Sequence, residues 1–202
     1  MTQAPRSVPL IGLTGGIGAG KSTALAALAR LGAEVLSSDA VVHELYAGDR
    51  RLREAVVERW GPQVAPNDTV DRAAVARQAF ADAEERRWLE GLLWPLVGER
   101  VGEWLTAARA QLPPPRAAAV EVPLLFEAGM EGLYDATIAV CAPERLRLER
   151  AAGRGHELLP ERTARQLSQE EKAARATYAV CNDGTEVQLQ EKLSDILDKL
   201  KR

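Results

Sequence analysis

The run Gly15-Gly16-Ile17-Gly18-Ala19-Gly20-Lys21-Ser22 fits the pattern G-x-x-x-x-G-K-[ST], a set of residue types suited to holding phosphate groups. Glycines let the main chain fold tightly round an anion, with several N–H groups converging on it and no Cβ in the way. A helix opening at Lys21 adds the positive end of its dipole and its own unpaired N–H groups. Lys21 then places a point charge on the β- and γ-phosphates of a nucleotide, and the Ser22 hydroxyl is the expected ligand for Mg²⁺. An ordinary glycine-rich strand-to-helix turn is the competing reading. The flanks favour the phosphate loop: an apolar run over 10–13 precedes it, and a helical pattern over 22–31 follows, with Leu25, Leu28 and Leu31 on one stripe and Gly32 placed for a left-handed cap.

A phosphate loop alone does not separate kinases from switches, transport ATPases and helicases. Neither N-K-x-D nor L-S-G-G-Q occurs, which removes most of the weight from GTPases and transporters. Phosphoryl transfer to a small molecule needs a base near the acceptor hydroxyl and cations around the moving group. Asp39, just past the second strand candidate, is the base or hydroxyl-orienting candidate, with an N-cap for residues 40–45 as its alternative. Arg150 and Arg154 stand one helical turn apart, with Arg162 beyond Pro160, and guanidinium groups there would neutralise charge on the transferring phosphoryl; a solvated basic face is the alternative. Glu121, at a strand end, is either a water-mediated Mg²⁺ ligand or a buried edge acid. His43 and His156 have no metal partner in spacing and read as structural.

The elements that must position these groups alternate as in a parallel α/β sheet. Four further strand candidates, 34–37, 117–122, 136–141 and 178–181, are interspersed with helical stretches, so chemistry is expected beyond their carboxyl ends. Residues 47–111 carry no strand signal and hold all four tryptophans, Trp60, Trp88, Trp94 and Trp104, which predicts a helical insertion. The core is then 1–46 and 112–202, with a basic helical stretch at about 144–175 acting as a lid. A closing helix is expected over about 186–200, where Leu189, Leu193, Ile196 and Leu200 fall on one face. At 202 residues and 46 % hydrophobic content the chain suits one α/β domain with an insertion. A net charge of −3 argues against a dedicated nucleic-acid binder. Cys141 and Cys181 are too few for a disulfide framework and read as reduced core thiols, fitting a cytoplasmic protein, and no run is long or apolar enough to span or target a membrane.

Across its length the chain resembles the dephospho-coenzyme A kinase family. The resemblance covers Leu13-Thr14 through the loop to Thr23, then Asp39 in the family's D-A-D, Val70-Asp71-Arg72 and Phe80, and Glu121-Val122-Pro123-Leu124-Leu125-Phe126-Glu127, which is similar to P-L-L-F-E. It continues through Arg150, Arg154, Arg162-x-x-x-Gln166, Lys172 and Val180-Cys181-Asn182-Asp183-Gly184. It implies a three-layer P-loop kinase with a parallel five-stranded sheet, a helical substrate-binding insertion and a helical lid. The implied reaction moves the γ-phosphoryl group of MgATP to the ribose 3′-hydroxyl of dephospho-coenzyme A, in a monomer or small homo-oligomer. By the same resemblance Asp39 is the base, Lys21, Arg150 and Arg154 are catalytic cations, and Gly15, Gly16, Gly18, Ala19, Gly20, Lys21, Ser22 and Thr23 bind the nucleotide phosphates. Asn182 and Gly184 neighbour the adenine, and Glu127 lies in the pocket. Three positions depart from the family pattern: Ser37 for the first Asp of D-A-D, Trp94 for a histidine before Pro95, and Cys181 for an Asp. The apolar surroundings of Trp94 predict a packing role. A kinase for a nucleoside monophosphate or sugar, and a nucleotide switch without an acceptor, stand as alternatives.

Overall fold

Short runs of small and branched apolar residues, buried on both faces, make the centre of a parallel sheet. In the computed structural model, which describes residues 8–152 and 166–201, they form β1 (Leu10–Gly15), β2 (Glu34–Ser37), β3 (Ala118–Glu121), β4 (Ala136–Cys141) and β5 (Tyr178–Cys181). The five are parallel in the order β2-β3-β1-β4-β5. β1 is central, with Ile11 beside Ala119 and Ala136.

Alternation along β1 divides the two faces. Ile11 and Leu13 point to the side covered by α1 (Lys21–Arg30) and the last helix, where they meet Leu28, Ile138, Val140, Val180, Leu189, Leu193 and Leu197 in one buried cluster. Gly12 points to the other side, where an added Cβ would stand 2.5 Å from Leu125 and 3.0 Å from Tyr134. Gly32 has φ +87° and closes α1 as expected, with its N–H donating to the Ala29 carbonyl.

The chain divides into two compact units, Met1–Ser37 with Leu105–Arg202, and Ser38–Trp104. The second is helical: α2 (Ser38–Gly48), α3 (Arg50–Trp60), α4 (Arg72–Ala81) and most of α5 (Ala83–Arg109). Asp49 caps α3 by accepting from the Leu52 N–H, and Asp71 caps α4. Trp60 packs edge-on to Trp88 with ring centroids 4.9 Å apart. Its indole N–H donates to Glu85, which also accepts from Arg59. Those bonds, from Arg59 first and then Trp60, hold the Glu85 carboxyl below its ordinary pKa.

Two packing expectations fail. Trp94 is 44 % exposed, because the buried stripe of α5 runs through Leu89, Leu96 and Ala108 and position 94 falls two residues from Leu96, on the opposite side of a 3.6-residue turn. The cysteines are not core thiols: Cys141 is half-buried and Cys181 exposed, since both sit at the open carboxyl end of the sheet, where helix cover stops.

Among the described residues the remaining α-helices belong to the first unit: α6 (Glu144–Ala152), α7 (Gln169–Arg175) and α8 (Glu186–Leu200). α6 and α7 lie in the stretch expected to be helical; residues 153–165 between them, including Arg154, His156 and Arg162, lie outside the described residues. α7 opens with a capping box formed by Ser168 and Glu171, and α8 with one formed by Thr185 and Gln188. Among the described residues no helix is long and apolar enough to cross a membrane.

Among the described residues the most heavily buried charge is Lys172 on α7, with 1 % of its side chain exposed. Its ammonium stands 2.9 Å from Glu127 and donates to the Pro123 carbonyl at 2.7 Å. Pro123 also accepts from the Thr14 hydroxyl at 3.2 Å, and Glu127 accepts from the Leu167 N–H at 2.8 Å. One ammonium thus ties α7, the segment after β3 and the end of β1 together. Breaking such a pair strands the partner charge, so Lys172→Ala should cost about 3–5 kcal/mol in denaturant melts, and Lys172→Met with Glu127→Leu should recover most of it. Trp94→Ala should change the same melts by about 1 kcal/mol or less.

Candidate nucleotide site

The loop that follows β1 is shaped by approaches that only glycine permits. Gly18 (φ +75°) and Gly20 (φ +94°) are left-handed. A Cβ on Gly18 would stand 2.3 Å from the Arg147 carbonyl oxygen, and one on Gly20 would stand 2.1 Å from the Asn182 amide nitrogen. Gly20 opens α1 and has no side chain to cap it, so the helix turns the positive end of its dipole toward the loop. Lys21, the first residue of that helix, folds back across the loop and donates to the carbonyls of Gly15 (3.0 Å) and Gly16 (3.2 Å).

Two strands and a helix bring the other groups to the same place. Asn182, just past β5, donates from its side-chain amide to the Ala19 carbonyl at 3.0 Å and from its N–H to the Cys141 carbonyl at 2.7 Å. Both terminal nitrogens of Arg150 donate to the Asn182 carbonyl at 3.3 Å. The resulting cleft, about 270 Å³, is lined by Gly18, Gly20, Lys21, Ser22, Thr23, Glu121, Arg150, Asn182, Gly184 and Glu186. It gathers the second half of the loop with Arg150, Asn182 and Gly184, and it joins to them Glu121 from the end of β3. Two cations face it beside a helix N-terminus, which makes it receptive to a polyphosphate.

Ser22 and Glu121 line one cleft and offer hard oxygen donors, the chemistry Mg²⁺ prefers. Among the described residues no group of three or more His, Cys, Asp or Glu could hold a metal. One or two protein oxygens, completed by phosphate and water, is the usual way this ion is bound.

Asp39 lies in the first turn of α2, exposed, within the helical unit. The helix begins one residue before it, so the capping alternative does not describe it. In the same unit Arg72 donates to His43 Nδ1 at 2.6 Å, which makes that nitrogen an acceptor, and its guanidinium lies 5.9 Å from the centre of the Tyr46 ring. Phe80 is exposed. Arg154 lies outside the described residues.

Two contributors were not singled out from sequence. Arg147 donates from Nε to the Ile17 carbonyl at 3.0 Å, pinning the loop to α6; its spacing of three from Arg150 was the available signal. Gln169 accepts from the Ala142 N–H at 2.8 Å and donates to the Ala142 carbonyl at 3.0 Å, pairing both main-chain groups of the residue after β4. No local pattern marks that role.

A model of the family described as dephospho-CoA kinase matches residues 9–188. The dephospho-CoA kinase of Moorella thermoacetica is 41% identical over 171 residues, covering 84% of this chain and 80% of the relative. That of a Synechococcus strain is 36% identical, covering 93% of this chain and 91% of the relative. Among solved structures, TT1252 from Thermus thermophilus superposes with a TM-score of 0.80 at 34% identity, over 96% of this chain and 99% of that one. The dephospho-CoA kinase from Campylobacter jejuni, at 21% identity and TM-score 0.68 over 95% of this chain and 96% of that one, shares the fold. A match that runs from the first strand into the last helix, with relatives more than a third identical over most of both chains, means that the chain belongs to the dephospho-CoA kinase family.

Proposed function

We propose that the protein transfers the γ-phosphoryl group of ATP to the ribose 3′-hydroxyl of dephospho-coenzyme A, giving coenzyme A and ADP. The observation that carries this reading is the single cleft in which the phosphate loop, Arg150 and Asn182 meet, in a chain of this family. The reading supports these roles. The loop N–H groups and Lys21 hold the β- and γ-phosphates, and Lys21 exchanges its two carbonyl partners for phosphate oxygens. Ser22 would hold Mg²⁺, with Glu121 acting through water, and the ion would supply neutralisation of phosphate charge. Arg150, and Arg154 with it, offset charge spread over the moving phosphoryl group. Asn182 and Gly184 flank the adenine.

The acceptor side falls to the helical part of the chain, residues 47–111, together with Asp39. In this reading the 3′-oxygen attacks the γ-phosphorus, its proton passes to the Asp39 carboxylate, and the bond to the β-phosphate oxygen breaks with its electrons leaving on ADP. The stretch at about 144–175 closes over the nucleotide. The enzyme works as a cytoplasmic monomer or small homo-oligomer and has no nucleic-acid partner.

ADP release measured across a panel of acceptors tests the reading: release should depend on dephospho-coenzyme A. Slow release without any acceptor would instead mark a nucleotide switch. Lys21→Ala should lower turnover by about a hundredfold or more with the fold intact by circular dichroism. Asp39→Asn should lower turnover by about 10²- to 10⁴-fold while leaving ATP binding by calorimetry nearly unchanged. Turnover at the parent level in a folded Asp39→Asn protein would remove Asp39 from the proton transfer.

A further inference from the structure

The two cysteines of the chain are neighbours in space. Cys141 ends β4 and Cys181 ends β5, and the two are paired in the parallel register. Register partners on adjacent strands share one face of the sheet at a spacing of about 4.8 Å. A disulfide accepts Cα separations of about 4.4–6.8 Å. The pair faces away from the buried cluster, since the preceding residues Val140 and Val180 are the ones that enter it. Cys181 is exposed and Cys141 half-buried, and both are free thiols. The Cys181 hydrogen-bond partner Asp183 and the ammonium of Lys192 stand beside one thiol, while Glu170 and Arg147 act on the other. Burial, chiefly, pushes both thiols up from the ordinary cysteine value, and Cys141 is itself among the groups felt by Cys181.

The bonds on either side of this pair lead into the nucleotide cleft. The Cys141 carbonyl accepts from the Asn182 N–H, the Asn182 amide holds Ala19 of the loop, and Arg150 holds the Asn182 carbonyl. We propose that Cys141 and Cys181 are an oxidation site: they close to a reversible intramolecular disulfide that displaces Asn182 and weakens nucleotide binding. This rests on the nucleotide reading of the cleft given above. A bridge draws the two Cβ atoms to about 3.8 Å, roughly an ångström closer than strand spacing, and Asn182 directly follows one of them.

A hydroperoxide is the oxidant. The exposed Cys181 thiolate attacks one peroxide oxygen, the O–O bond breaks, and a sulfenic acid forms as the first water leaves. The Cys141 sulfur then attacks the Cys181 sulfur, the S–O bond breaks, and the second water leaves with the disulfide formed. Two thiols lose two electrons and two protons, and the peroxide gains them. Thiol reductants reverse the step.

The test uses the full chain with excess hydrogen peroxide at alkaline pH, which raises the reactive thiolate fraction of both cysteines. The intact monomer should lose two hydrogens in mass, lose both titratable thiols, and regain them with dithiothreitol. Its dissociation constant for ATP, by calorimetry, should rise roughly three- to tenfold on oxidation, the worth of about one net hydrogen bond, and return on reduction. Cys141→Ser and Cys181→Ser should bind ATP like the reduced parent and show no such response. Chains cross-linked to one another, or sulfinic acids in place of the bridge, would overturn the proposal, and so would a bridge that leaves ATP binding unchanged. A protein that binds ATP in neither state would overturn the nucleotide reading and this control with it, while the thiol count would still report whether the bridge forms.

Discussion

The hydrogen bond from the Asn182 side-chain amide to the Ala19 carbonyl joins residues 163 positions apart and closes the phosphate loop against the end of the sheet. A short loop of small residues has little surface of its own to bury, so its shape must come from outside. Asn182 supplies one wall, Arg147 another through the Ile17 carbonyl, and Lys21 spans the middle through Gly15 and Gly16. Each of these donors takes a carbonyl of the loop. Four of the loop carbonyls, those of Gly15, Gly16, Ile17 and Ala19, are thereby taken up by side-chain donors, and the Gly16 carbonyl also accepts from the Ala19 N–H inside the loop. Gly18 and Gly20 follow from the same closure, because any side chain there would collide with the groups that hold the loop.

The opposite face of the sheet adds a buried charge to the apolar packing of Leu125 and Phe126. Lys172 is buried, and a buried ammonium is tolerated only when its hydrogen bonds are made. Its partners Glu127 and Pro123 come from the segment after β3, and Pro123 is bonded in turn to Thr14 immediately before the loop. Arg175, one turn further along α7, pairs with Glu131 and stacks on Phe126 at 5.0 Å. Residues 123–131 are thus held by cations of α7, while Glu121 is placed by the pairing of β3 with β1 and β2.

Much of the fold was legible because the strands of a parallel sheet are continuous apolar runs. All five lie within a residue or two of where the runs placed them, and the last helix matches its amphipathic stripe at both ends. The loop was legible because its geometry depends on residue type at fixed spacing. What was hidden depends on partners distant in sequence. Lys172 stood out only through the family pattern, because a lysine after two glutamates carries no local mark of burial, yet it is buried. Gln169 reads as an ordinary first-turn residue, yet it pairs both main-chain groups of Ala142. The apolar neighbourhood of Trp94 suggested core, but composition does not specify a helix face, and a displacement of two residues turns a side chain outward.

Overall charge was a poor guide to the site, and the reason is physical. The chain is net acidic, and the cleft itself sets Lys21 and Arg150 beside a helix terminus against Glu121 and Glu186. Exposed charges further than about a Debye length of 8–10 Å are screened from a ligand, so the acidic surplus elsewhere costs little at the loop. Close charges act differently, because the same cations are engaged by main-chain carbonyls before any ligand arrives. Arg150 is spent on Asn182, and Lys21 on Gly15 and Gly16. A phosphate bound there would therefore compete with bonds that already shape the cleft. That competition lowers the net gain from each contact but keeps the cations in position, and position is what electrostatic stabilisation of a moving phosphoryl group depends on.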